Sequence, residues 1–316
     1  YLSDCGVLTH IPVPFKINNI CLCPKRERAS HGGGWAELDF RGRVLEHLGE
    51  YKRTVLGVAE SGKWRGKCYS HILPETMMTL NLIEGYRGEL WEFLRHRRIK
   101  LHGRFHHLNS SQAVCFNFFY PMLAEGVTGL LLDVLQCGSE VFDGGEFEYV
   151  SPLDKTNFDF RIRQKSGGRI FIEVKYTEDK FGGAEDDDVY RDRYNGTYKP
   201  HLAGKIRDGV DPYQALIAHY QLLRNIAHVD LSRNDRLILL YPKDNLKVVR
   251  EIDHVMNRIV SPALHDRIKP LTWESVLQDL KREIGRRSDP SDRLPDRFVN
   301  HYKEFERKYF SPARSA

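Results

Sequence analysis

The chain has 316 residues, 41% hydrophobic and 29% charged, with 48 Lys and Arg against 43 Asp and Glu for a net charge of +5 at pH 7. Those proportions exclude a disordered or fibrous chain, and no uninterrupted apolar run reaches the roughly 18 residues of a membrane span, so no membrane role is expected. The small basic excess suits an anionic partner without demanding one, and the length allows a single elaborated domain with a sizeable core.

The chain opens YLSDCGVLTH, without the basic and apolar blocks of a signal peptide, so secretion is not expected. Its six cysteines, Cys5, Cys21, Cys23, Cys68, Cys115 and Cys137, are too scattered for a disulfide scaffold and fit a reducing, cytoplasmic location. Cys21 and Cys23 together with Cys68 and His71 supply four candidate zinc ligands; buried thiols and a hydrogen-bonded core histidine explain the same residues without metal.

Pro12, Pro14 and the glycines Gly32 to Gly34 punctuate the first 75 residues, which predicts short strands and loops rather than long helices. From Met77 onward, Leu80, Ile83, Leu90, Phe93 and Leu94 recur at helical spacing and predict amphipathic helices. The stretch 95 to 107, RHRRIKLHGRFHH, carries five Arg or Lys and four His, and 281 to 287, KREIGRR, adds a second basic cluster. Either suits phosphate contact, with Arg97, Arg98 and Lys100 the named candidates, or simply a solvated helix face. A largely apolar helix capped at Asn109 or Ser110 follows, with Pro121 expected to kink or split it before Leu135; its Ser111, Gln112 and Asn117 are expected to serve buried hydrogen bonds. Residues 146 to 176 change to strand alternation in EFEYV, TNFDFRIRQ and RIFIEVKYT. A long charged excursion with EDDD at 185 to 188 comes next, then a helix capped by Asp211 with Pro212 at its first position, the buried strand RLILLYP, and two helical patterns at the end.

The strand RIFIEVKYT raises a physical question, because Glu173 and Lys175 lie two apart and so project from one face of an apolar element. A three-residue hairpin loop, Ser166 to Gly168, pairs Lys165 with Arg169, Gln164 with Ile170, Ile162 with Ile172, Phe160 with Val174 and Phe158 with Tyr176, which gathers the apolar residues on one face. The opposite, solvent-facing side then carries Asp159 across from Lys175 and Glu173 across from Arg161, diagonal to Asp159. A two-residue loop breaks this pattern. Two carboxylates beside a lysine suit hard divalent cations and acid–base work at a phosphate, while a structural ion-pair cluster is the alternative.

The pattern NFDF, fourteen residues from Asp159 to Glu173, then EVK, resembles the signature of the PD-(D/E)XK nuclease superfamily, and the element order resembles its αβββαβ core. Asn157 and Phe158 stand where the signature's name has proline. The resemblance implies an α/β fold, a restriction-endonuclease-like core with a mixed sheet flanked by helical and N-terminal elaborations. It implies Asp159 and Glu173 as ligands of Mg²⁺ or Mn²⁺, the main-chain carbonyl of Val174 as a further ligand, and Lys175 as the catalytic lysine. Glu148, with Glu146 second, is the upstream acidic candidate; Gln221, Arg224 and Asn225, which share one helix face at i, i+3 and i+4, are the helical candidates. Gln221 is placed with the catalytic group and Arg224 with nucleic-acid contacts. Residues 1–100 are expected as an N-terminal elaboration, 101–285 as the nuclease core and 286–316 as a C-terminal helical extension. The function so implied is metal-dependent hydrolysis of nucleic acid, with DNA the expected substrate, endonucleolytic cutting, and room for a homodimer. A non-catalytic nucleic-acid-binding or assembly module on the same fold is the alternative.

Overall fold

A computed structural model describes residues 39–138, 141–287 and 292–310. Asp39 accepts a hydrogen bond from the Gly42 amide at 2.8 Å and caps α1 (Phe40–Thr54), whose Val44, Leu48 and Tyr51 are buried along one face. A fifteen-residue helix thus stands where only strands and loops were expected. The spacing of those three residues is a helical stripe that outweighs the preceding glycines. A short antiparallel hairpin follows, β1 (Gly62–Trp64) and β2 (Lys67–Tyr69). Residues 75–86 form 3₁₀ turns instead of an amphipathic α-helix, because buried Asn81 donates to the carbonyls of Phe105 and His107 and tethers the chain there. Only α2 (Arg87–His96) keeps the expected helical form in this stretch.

The buried central helix is α3 (Ser111–Ala124), capped by the Ser110 hydroxyl. It runs straight through Pro121. Proline cannot donate to the carbonyl four residues back, and that carbonyl, on Asn117, accepts from His301 Nε2 at 2.7 Å instead. The break falls at Gly126 (φ +66), before α4 (Thr128–Val134).

Three antiparallel strands come next, β3 (Phe142–Val150), β4 (Asn157–Gln164) and β5 (Arg169–Val174). The charged excursion contains α5 (Asp188–Arg193), capped by Asp187, a π turn over Tyr194–Tyr198, and α6 (Lys199–Leu202). The helix begun by Asp211 and Pro212 is two helices, α7 (Pro212–Ala218) and α8 (Tyr220–Ala227), separated at His219 (φ −126, ψ 46). Then come β6 (Arg236–Tyr241), α9 (Leu246–His254), β7 (Ile268–Thr272), α10 (Trp273–Arg286) and α11 (Asp296–Tyr309). The sheet order is β3-β4-β5-β6-β7, with β6 and β7 parallel to β5, a mixed sheet in the expected restriction-endonuclease-like arrangement.

The hairpin turn is one residue earlier than the alternation implied. Gln164 N donates to Gly168 O at 3.0 Å and Gly167 takes φ +87, so the loop is Lys165 to Gly167. Phe160 therefore faces Ile172, and Arg161 faces Phe171 rather than Glu173. Continuing that register puts Asp159 opposite Glu173 instead of Lys175. The face assignment of most residues survives, since the partner shifts by two. Phe158 is the exception: Phe160 stacks on Phe119 of α3 at 4.5 Å, but Phe158 meets Phe171 and His228 on the other side at 4.5 and 5.1 Å. The alternation thus breaks at Asp159. On the neighbouring strand, Glu148, between the Phe147–Phe160 and Tyr149–Phe158 pairs, has φ +51.

The second face is not open to solvent either. It carries its own core, where Phe158, Phe171, Leu237 and Leu239 pack with Leu223, Ile226 and Ile252, while the first face packs on α3, α10 and α11. Burial on both faces is what the parallel part of such a sheet requires.

Candidate active site

Glu173 is at the end of β5, 3% exposed, and a buried carboxylate must be paired and hydrogen-bonded. Its Oε1 accepts from Lys175 Nζ at 2.6 Å and Gln221 Nε2 at 2.7 Å, and its Oε2 from Asn225 Nδ2 at 3.0 Å. The amphipathic pattern of α8 turns its apolar side to the sheet and brings the two amides, one turn apart, onto this one side chain. Gln221 also accepts from Lys175 Nζ, at 3.1 Å, so carboxylate, ammonium and amide close a three-membered ring of contacts.

Lys175 is itself buried, at 6% exposure, and lies 4.9 Å from the Phe181 ring centroid. Burial works against its charge, but Glu173, Glu178 and Asp159 outweigh it and hold the ammonium above the ordinary lysine range. Its backbone is fixed on both sides, the amide donating to Leu240 O and the carbonyl accepting from Trp273 Nε1 at 3.2 Å.

Asp159 Oδ2 accepts from the Val174 amide at 2.7 Å, which ties β4 to β5 beside Glu173. Burial first, then repulsion from Glu173 and Glu148, pushes its carboxyl well above the usual carboxylate range. Glu148 is held by Gln112 Nε2 at 2.8 Å, by Asn157, and by His102 Nε2 at 3.5 Å. The Glu148 hydrogen bond leads the causes that raise the His102 pKa. Gln112 is the residue that sequence reasoning set aside as a core hydrogen-bonder. It does satisfy backbone, accepting from His102 N and donating to Lys100 O, and it also aims Glu148 at the centre.

The structure thus brings Asp159, Glu173, Val174, Lys175, Gln221, Asn225 and Glu148 together. Glu146 is elsewhere, paired with Arg161 at 2.7 Å. Arg224 is turned away onto Tyr220, 5.4 Å from the ring. Arg97 and Arg98 are exposed past the end of α2, and Lys100 borders the cleft that also holds His102. The 281–287 cluster is largely spent on ion pairs with Asp279, Glu283 and Glu306.

A family model described as Restriction Endonuclease associating with ARP (REase-ARP) matches residues 45–310. The chain belongs to that family. The match agrees with the PD-(D/E)XK resemblance and with the helix-flanked mixed sheet. No curated protein and no solved structure matches the chain.

For a REase-ARP member, metal use is the family expectation. Among the described residues, however, no group of three or more His, Cys, Asp or Glu is disposed to hold a metal ion. At Glu173, an ammonium and two amides take three of the carboxylate's lone-pair positions. Donor chemistry still fits a hard cation, because a carboxylate has about four lone-pair sites and Asp159 uses one with Val174. Cys21 and Cys23 of the candidate zinc set lie outside the described residues. No helix among the described residues is long and apolar enough to cross a membrane.

Proposed function

We propose that the protein is a nuclease dependent on Mg²⁺ or Mn²⁺ that hydrolyses phosphodiester bonds, with DNA as substrate and internal cutting as the mode. The observation carrying this reading is the closed contact set Asp159–Val174 amide, Glu173–Lys175 and Glu173–Gln221–Asn225 at the strand ends. Asp159, Glu173 and the Val174 carbonyl would hold the ion, which when bound supplies an activated water and charge neutralisation at the phosphate. Lys175, kept protonated by its acidic neighbours, presents a positive charge where negative charge develops on the phosphate. Gln221 and Asn225 fix the orientation of Glu173, and Gln112 that of Glu148. Burial and then repulsion from Glu173 and Glu148 push the Asp159 carboxyl up, and a cation would relieve that repulsion, which supports metal uptake. The family description has members associating with ARP, and we read this chain as the endonuclease side of such an association.

A second reading, a binding or assembly module without catalysis, is favoured by the one feature that Glu173 already accepts from three donors of the protein. Plasmid, linear duplex, single-stranded DNA and RNA incubated with Mg²⁺, Mn²⁺ or EDTA separate the two. Cleavage in either metal and none in EDTA is the expected result; binding with no cleavage in any lane would leave only the module.

A further inference from the structure

A cleft of about 800 Å³ is not the carboxylate cluster itself but opens beside it, and it is in the size range of small-ligand sites. Its floor joins the proposed catalytic strand, since Thr177 and Glu178 follow Lys175 and Tyr176 in the chain, and His102 reaches from its rim to Glu148. Three exposed cations, Arg41, Lys100 and Arg104, border it, together with Ser110 and Ser111 at the start of the fourteen-residue helix α3, whose positive dipole end favours an anion. Trp64 and Tyr69 from the β1–β2 hairpin form an aromatic wall, with Arg104 lying 4.8 Å over the Trp64 ring.

One further group makes this more than a basic surface. His107 lines the cleft, is only 8% exposed, and its Nε2 has no hydrogen-bond partner, an arrangement that a buried polar atom tolerates poorly. Its ring is held 5.3 Å from Trp64 in an edge-on arrangement. Burial, then His106, His71 and Arg104, pull its pKa down to about 4, so at neutral pH it offers a directional hydrogen bond rather than a charge.

We infer that this cleft receives one unpaired nucleotide of the strand being cut, its phosphate against Arg41, Lys100, Arg104 and the start of α3, its base against Trp64 and Tyr69, with the His107 ring beside it. An aromatic wall can stack only on a base that has left its own stack, so the site selects single-stranded or locally opened substrate over continuous duplex. The inference rests on the nuclease reading for its substrate class, but its test does not require cleavage.

The test is binding of a fluorescein-labelled single-stranded DNA 20-mer and the matching duplex, in EDTA, to the full chain. Wild type should bind the single strand more tightly than the duplex. Trp64→Ala should weaken single-strand binding about tenfold, the usual size of one lost base stack, and leave duplex binding nearly unchanged. The Arg41→Ala, Lys100→Ala pair should lower the salt dependence of single-strand binding by between one and two counterions. If Trp64→Ala unfolds, the charge pair and Trp64→Phe, which should retain most affinity, carry the test. Equal affinity for both DNAs, or single-strand binding unaffected by Trp64→Ala and the charge pair alike, would overturn the cleft assignment and leave the nuclease reading standing. Failure of wild type to bind either DNA would overturn the cleft assignment, and the cleavage lanes in Mg²⁺ and Mn²⁺ would then decide the nuclease reading.

Discussion

Glu173→Ala removes the counter-charge of a buried ammonium and strands two amides at once. In the native protein the three donors sit 2.6, 2.7 and 3.0 Å from its oxygens, and both Glu173 and Lys175 are under one-tenth exposed. After the exchange, Lys175 Nζ keeps only Gln221 Oε1, at 3.1 Å, among these close partners. Breaking such a pair from one side destabilises by about 3–5 kcal/mol, because the remaining charge stays desolvated. Against a total stability of about 5–15 kcal/mol, that is a large fraction. Lys175→Met alone strands the carboxylate instead, but leaves it two amide donors, so its effect should be smaller, about 2–3 kcal/mol. Adding Lys175→Met to Glu173→Ala removes the stranded charge, and the double variant should regain about 2 kcal/mol over Glu173→Ala. Guanidinium unfolding in EDTA, analysed as a double-mutant cycle at constant m, reads all three. A Glu173→Ala loss below about 1 kcal/mol, or strictly additive effects, would refute the closed contact between the two side chains.

Gln221→Ala and Asn225→Ala should each lower cleavage about 10- to 100-fold, chiefly by raising the Mg²⁺ concentration needed for half-maximal rate, because they orient Glu173 rather than touch substrate. Stability of the metal-free protein should fall as pH rises above the ordinary carboxylate range. The folded state raises the Asp159 pKa, so it binds more protons than the unfolded chain there, and the stabilising proton is lost as pH climbs towards the folded value. Melting curves from pH 4 to 8 in EDTA should show this slope in wild type and a shallower one in Asp159→Asn. His301→Leu leaves the Asn117 carbonyl, which Pro121 cannot serve, without its donor, and should cost about 1–3 kcal/mol in a chemical denaturation series.

The sheet was legible because strand alternation is strict from Phe160 to Val174, so the apolar face follows from parity alone, and the proposed trio was picked out as the charged residues that flank or interrupt it. Parity cannot fix the turn. Choosing Ser166–Gly168 over Lys165–Gly167 gives nearly the same faces but shifts every cross-strand partner by two, and so the partner of Asp159 was misassigned. Nor does alternation foresee its own interruption. The positive φ of Glu148 falls on a glutamate, not a glycine, and so leaves no local signal, yet it accompanies the face change that separates Phe158 from Phe160.

Burial of the site was also beyond pattern reading. Glu173 and Lys175 read as solvent-facing until α8 is known to cover them, and that cover depends on the parallel crossover to β6 rather than on the hairpin. The polar stripe Gln221, Arg224, Asn225 did mark the correct helix, and two of its three members reach Glu173. Gln112 went unseen as a site residue because an amide in an all-round apolar helix looks like a structural hydrogen-bonder, which it also is. The break between α7 and α8 has neither glycine nor proline to announce it.

The most direct test of the proposed centre is single-turnover cleavage of a plasmid in Mg²⁺ by wild type and by Asp159→Asn, a neutral side chain of nearly the same shape. Wild type should cut, and the variant, folded and binding DNA with near-native affinity, should cut at least a thousandfold more slowly, about 4 kcal/mol of lost transition-state stabilisation. Cutting by the variant at the wild-type rate would place the chemistry somewhere other than Asp159, Glu173 and Lys175.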